Sequence, residues 1–181
     1  MCIFLLAAIA VLVLSLVPKL GEYGPHKRFP EVRNWESVTI RLERSLCYGT
    51  CPSYSVELHG DGTVLYDGRD CVAIMGPRTG HVPAAAVVGL VQQFRNADYF
   101  SLKENYVASI TDGPTFRTSI GFDGHSKSVG DYLGESAGMP AAVEALERAI
   151  DKTTGTDRWV WGGKRTCFGR PVDDTPLKRR P

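Results

Sequence analysis

Regular alternation of apolar and polar residues sets in after Ser37. In VTIRLER, Val38, Ile40 and Leu42 fall on one side and Thr39, Arg41 and Glu43 on the other, the period-two pattern of a strand with one buried face. SYSVELH repeats it, with Tyr54, Val56 and Leu58 inward and Ser53, Ser55, Glu57 and His59 outward. Gly60, Asp61 and Gly62 tolerate the positive φ of a tight turn, so TVLYDG is expected to fold back as a third strand. CVAIMG is expected to continue the meander as a fourth.

The period then changes. From Pro83 to Ala97, Val87, Val88, Leu90, Val91 and Phe94 recur at helical spacing, and Pro83 suits a first turn, where a missing N–H costs nothing. TFRTSIGF and HSKSVGDYL flank Asp123-Gly124 and read as a second hairpin. Pro140 opens another helix, with Val143, Leu146 and Ile150 facing one way, and RWVWG closes the domain. The predicted order is ββββαββα. Hairpins set apart from helices imply an α+β fold in two layers, an antiparallel sheet covered by two helices.

The ends of the chain read differently. MCIFLLAAIAVLVLSLV has Ser15 as its one clearly polar member and would rise about 25 Å as a helix, between a secretory segment and a membrane anchor. Residues 1–20 are therefore taken as a signal peptide or anchor, 21–35 as a Gly/Pro-rich tether, 36–162 as one α+β domain and 163–181 as a disordered tail. Without the first twenty residues, which hold Lys19 and no acid, 20 basic residues face 20 acidic ones. That balance argues against nucleic acid as a partner. The expected partner is a protein, peptide or envelope component, with the membrane reached through residues 1–20.

LERSLCYGTCPSYSVELHGDGTVLYDG, TDGPTFRTSIGFDGHSKSVGDYLG and the closing LERAID with RWV resemble a family of bacterial exported domains of unknown function with a CYGxCPxY signature. The resemblance spans about residues 36–161. It implies export and a single compact domain, and it carries over no catalytic residue.

Cys47 and Cys51 end one strand and begin its neighbour, a spacing that allows the Cα separation of about 4.4 to 6.8 Å that a disulfide needs. Cys71 and Cys167 are then either paired, pinning the tail to the sheet, or free. A redox site would want C-x-x-C at a helix N-terminus, and this is C-x3-C between strands. A zinc site would want two close ligand pairs, and His26, His59, His81 and His125 are scattered singly. Neither a metal nor another cofactor is expected. GESAG at 134–138 matches the nucleophile-elbow spacing, but all four histidines precede Ser136, the wrong order for that hydrolase class. It is read as a loop leading into the helix at Pro140. His59 beside Glu57 makes a general base only under a groove over that sheet face.

Tyr48, Thr111 and Asp112 are the remaining ligand-facing candidates, on one exposed edge. The favoured function is a non-enzymatic binding module of the bacterial envelope. The alternative is a thiol-based or hydrolytic enzyme using Cys47, Cys51, His59 or Ser136, and a scaffold without a small ligand is the third class.

Overall fold

In the computed structural model, which describes residues 26–172, the alternating segments pair as the pattern requires. β1 (Thr39–Arg44) runs antiparallel to β2 (Ser53–His59), with Leu42 opposite Val56 and Ile40 opposite Leu58. All four of those side chains are fully buried. β3 (Thr63–Asp70) follows the turn at Gly62, whose φ is +93° and where a Cβ would run into the Val82 carbonyl. β4 (Gly76–His81), β5 (Asn105–Val107), β6 (Thr115–Phe122) and β7 (His125–Tyr132) complete a seven-stranded sheet in the order β4-β3-β2-β1-β6-β7-β5.

α1 (Ala84–Asn96) and α2 (Ala141–Thr154) each start one residue after a proline and bury Val87, Leu90, Val91 and Phe94 on one and Val143, Leu146 and Ile150 on the other, while Val88 of the expected stripe faces outward, 46% exposed. Both stripes join the inward sheet residues in one hydrophobic core. α3 (Asp157–Val160) is a single turn that puts Trp159 against Tyr66, ring centroids 5.0 Å apart. The fold is thus α+β, as the pattern implies.

Several finer expectations are corrected. The chain order is ββββαβββααββ, with a three-residue β5 that the reading lacked and a closing hairpin, β8 (Thr166–Cys167) with β9 (Arg170–Pro171). The sheet is mixed, because β5 lies parallel to β7 with Asn105 opposite Gly130. The fourth strand is not CVAIMG. Those residues form a loop whose Cys71 has φ +56° and whose Ala73 and Ile74 N–H groups donate to the Val160 and Trp159 carbonyls. Val72 is buried in the core and Ile74 packs partly buried against it, while Met75 is 49% exposed, and the edge strand begins only at Gly76.

The ends are also more structured than a tether and a tail. Phe29 is buried between Phe100 and Phe122, centroids 5.1 and 5.6 Å away, and Lys27 N–H donates to Ser101 Oγ at 2.7 Å. Residues 163–172 are pinned by the β8–β9 hairpin and by a disulfide at Cys167. The expected leader or anchor over 1–20, the start of the tether and residues 173–181 lie outside the described residues. Among the described residues no helix is long and apolar enough to cross a membrane.

Candidate functional site

The cysteine corner has to turn the chain from β1 into β2 within eight residues. Cys47 and Cys51 are disulfide-bonded, with Cα atoms 5.6 Å apart. The corner docks on the loop before β6: Tyr48 N–H donates to the Asp112 carbonyl at 3.1 Å, Ser45 N–H to the Thr115 carbonyl at 2.9 Å, and Thr115 N–H to Ser45 Oγ at 2.8 Å. Asp112 sits at φ +71° and its carboxylate accepts from Thr111 Oγ1 at 3.2 Å. Tyr48, Thr111 and Asp112 are therefore brought together, with the Tyr48 ring 91% exposed. His59 is at the far end of β2, beside the ion pairs that Arg41 makes with Glu57 and Glu43 on the open sheet face. Its Nε2 lies 3.0 Å from Glu57 Oε1, off the line of a hydrogen bond.

Cys71 and Cys167 form the second disulfide, across 96 positions of sequence. Asp70 Oδ1 braces it, accepting from the N–H groups of Cys71 at 2.8 Å and Phe168 at 2.9 Å. Asp70, Cys71 and Cys167 are the one group among the described residues whose ligand atoms lie close enough for a metal. With both sulfurs joined, it offers a single carboxylate already engaged by two backbone donors, which does not suit zinc.

Between the corner and the helices runs a groove that sequence reasoning missed. A cavity of 330 Å³ is walled by Pro52, Pro114, Phe116 and Trp161, the last 53% exposed. Its floor is a network centred on Asp151. Arg44 Nη2 donates to one carboxylate oxygen at 2.7 Å, and Tyr54 Oη and Thr156 Oγ1 donate to the other at 2.7 and 2.9 Å. The Arg44 guanidinium also lies 4.1 Å over the Phe116 ring. Burial, then the Asp151 charge, raises the Tyr54 phenol well above its ordinary range, so it stays a donor. LERSLCYGTCPSY, TDGPTF, LERAID and RWVW thus converge on one place.

Pro114 and Phe116 also line a smaller neighbouring cavity of 160 Å³, with Asp131, Glu135, Ser136 and Glu144. Ser136 lies in a 3-10 turn, Gly134–Ala137, and no histidine lines that cavity, so the elbow spacing assembles no triad. Behind it is Glu147, only 2% exposed on the inner face of α2, with Oε1 lacking a hydrogen-bond partner among the described residues. Burial first, then the negative charge of Asp131, pushes its carboxyl up to about 8, with Arg44 opposing. Asp131, itself 6% exposed, is held by the Gly134 N–H at 2.6 Å.

This has a measurable consequence for stability. The unfolded chain releases the Glu147 proton near the ordinary 4.5, whereas the folded chain keeps it up to about 8. Its contribution is thus fully present below about pH 4.5 and is lost as the pH climbs to about 8. Urea midpoints measured from pH 5 to 8.5 are expected to fall in the native protein and to stay flatter in Glu147→Gln, which fixes the neutral state. Equal slopes in the two proteins refute the assignment.

No curated protein matches the chain. A family described as Domain of unknown function (DUF6438) has a model that matches residues 38–154, β1 through α2, which carry Cys47, Cys51, Tyr54, Phe116, Glu147 and Asp151. The chain belongs to that family.

Proposed function

We propose that this protein is a non-enzymatic binding module of the bacterial cell envelope, working outside the cytosol, whose groove beside the cysteine corner receives a peptide or envelope component. The observation that carries the reading is the 330 Å³ cavity itself, aromatic and proline-walled over a fixed Arg44–Asp151–Tyr54 floor. Apolar walls with a few oriented polar groups are the usual make-up of a recognition site. Two disulfides support an oxidising compartment, since thiols in a reducing one stay unpaired. The apolar residues 1–20 fit export, or tethering to the membrane. A thiol enzyme finds less support, because both described cysteine pairs are joined, and a hydrolase lacks a histidine beside Ser136.

Two measurements test this. Protein drawn directly from the host and alkylated before lysis is expected to show both pairs oxidised; free thiols at Cys47 and Cys51 overturn the compartment. A photo-reactive phenylalanine placed at position 161 in intact cells is expected to give a discrete adduct that Phe116→Asp abolishes. The same label at Val107, 64% exposed on the far edge strand β5, is expected to give none. No adduct at 161 above that control removes the binding reading.

A further inference from the structure

The two cavities that share Pro114 and Phe116 are lined by five carboxylates, Asp131, Glu135, Glu144, Asp151 and Asp157, against one guanidinium, Arg44. Arg44 is spoken for: it pairs with Asp151, both side chains about 15% exposed. Glu135, Glu144 and Asp157, all exposed, then remain for a visitor, while Asp131, 6% exposed and engaged by the Gly134 N–H, adds its charge from the wall. Glu144 also meets Arg148 at 3.0 Å, but that pair is 50–65% exposed and screened by solvent. The walls between the acids are Phe116, Pro52, Pro114 and Trp161, flat faces of the kind on which an extended, proline-containing segment rests.

Resting on the binding reading above, we propose that the two cavities form one continuous groove for an extended cationic peptide segment of a partner, its basic side chains met by Glu135, Glu144 and Asp157. Charge complementarity selects the occupant, since an acidic strand would face uncompensated repulsion here. A second observation points the same way. Glu147 is nine-tenths buried with an unpartnered oxygen, and it is held protonated by burial and by the negative potential of Asp131 and Glu144, against Arg44 on β1. Tyr99, the other titratable group whose charge is coupled to Glu147, stays a neutral donor to Thr118. A cation seated beside Asp131 and Glu144 offsets that potential and favours ionised Glu147. The proton leaves to solvent on binding, and by linkage the cation binds more tightly as the pH rises through about 8.

The test uses the full chain, oxidised, with an acetylated and amidated Lys-Pro-Lys-Pro-Lys peptide as probe and the glutamate counterpart as control. Calorimetry in two buffers of different ionisation enthalpy is expected to show saturable binding of the lysine peptide with net proton release. Affinity should rise about tenfold from pH 6 to pH 9 and fall at least tenfold in Glu144→Gln/Asp157→Asn. Glu147→Gln is expected to bind the peptide without proton release, a signature that a purely structural role would not move. Equal binding of the glutamate peptide, a flat pH profile in the native protein, or no saturable binding overturns the proposal. So does binding that emerges only after Lys178, Arg179 and Arg180 are changed to Ala, which would make the chain's own terminal residues the occupant. An adduct at position 161 alongside failure of the lysine peptide leaves the binding reading standing and removes the cationic ligand alone.

Discussion

Asp151→Ala is expected to destabilise the protein by about 3–5 kcal/mol, the range for breaking a buried ion pair by removing one partner. The size follows from what is left behind. Arg44 keeps its charge in a site where its side chain is 15% exposed, and Tyr54 keeps a hydroxyl proton that has lost its acceptor, while Thr156 Oγ1 falls back on the residue-151 carbonyl, 3.1 Å away. An exposed pair such as Arg148 with Glu144 would cost about 1 kcal/mol at most. Asp151→Asn retains an acceptor and is expected to lose less than half as much, because the missing quantity is then mainly charge. Urea denaturation of the oxidised protein at pH 7 measures both, provided the m-value is unchanged. A loss under about 1 kcal/mol for the alanine variant would show that solvent already reaches this network. The groove would then lack the rigid floor on which the proposed function depends.

How much of this was legible depends on how each element is buried. β1 and β3 are half-buried, and β2 keeps its side-chain alternation even though Ser53 and Ser55, expected outward, are also covered, so period two survives in VTIRLER, SYSVELH and TVLYDG. β4 is an exposed edge, GPRTGH, with no apolar face to advertise it, while Cys71 and Val72 in the apolar run beside it are buried by long-range contacts that no local pattern encodes. β5 has three residues, too few to show a period. The groove was hidden for another reason: Arg44, Tyr54, Phe116 and Asp151 come from four elements and meet only through tertiary packing. Glu147 did leave a signal. Val143, Glu147, Ile150 and Thr154 share one helical stripe, and all four are buried, so a carboxyl in an apolar stripe was readable as an anomaly. Asp131 similarly follows Val129 on the inward side of β7, where alternation asks for an apolar residue.

The two disulfides also differ in what they are expected to contribute. Cys47–Cys51 closes a loop of four positions and Cys71–Cys167 one of 96. In the chain-entropy model the first stabilises by about 2 kcal/mol and the second by about 4.7, because the longer loop removes more freedom from the unfolded chain. Cys71→Ser/Cys167→Ser is therefore expected to lower Tm by roughly 10–15 °C, and Cys47→Ser/Cys51→Ser by roughly 5 °C. Serine at both positions keeps side-chain size and the positive φ at residue 71, so backbone strain largely cancels from the comparison. The longer bridge also has a local effect. Arg165, buried next to it, donates to the Thr50 carbonyl at 3.1 Å and stacks 4.3 Å over Trp161. Releasing residues 163–172 would thus loosen the cysteine corner and the outer wall of the groove together. Hydrogen exchange in the Cys71→Ser/Cys167→Ser variant is expected to rise at Cys71, Ala73 and Ile74, whose N–H groups bond the tail and α3, while the β1–β2 ladder keeps its protection. If the two double variants lose equal stability, or the short bridge matters more, the long-range clamp is not what fixes this end of the domain.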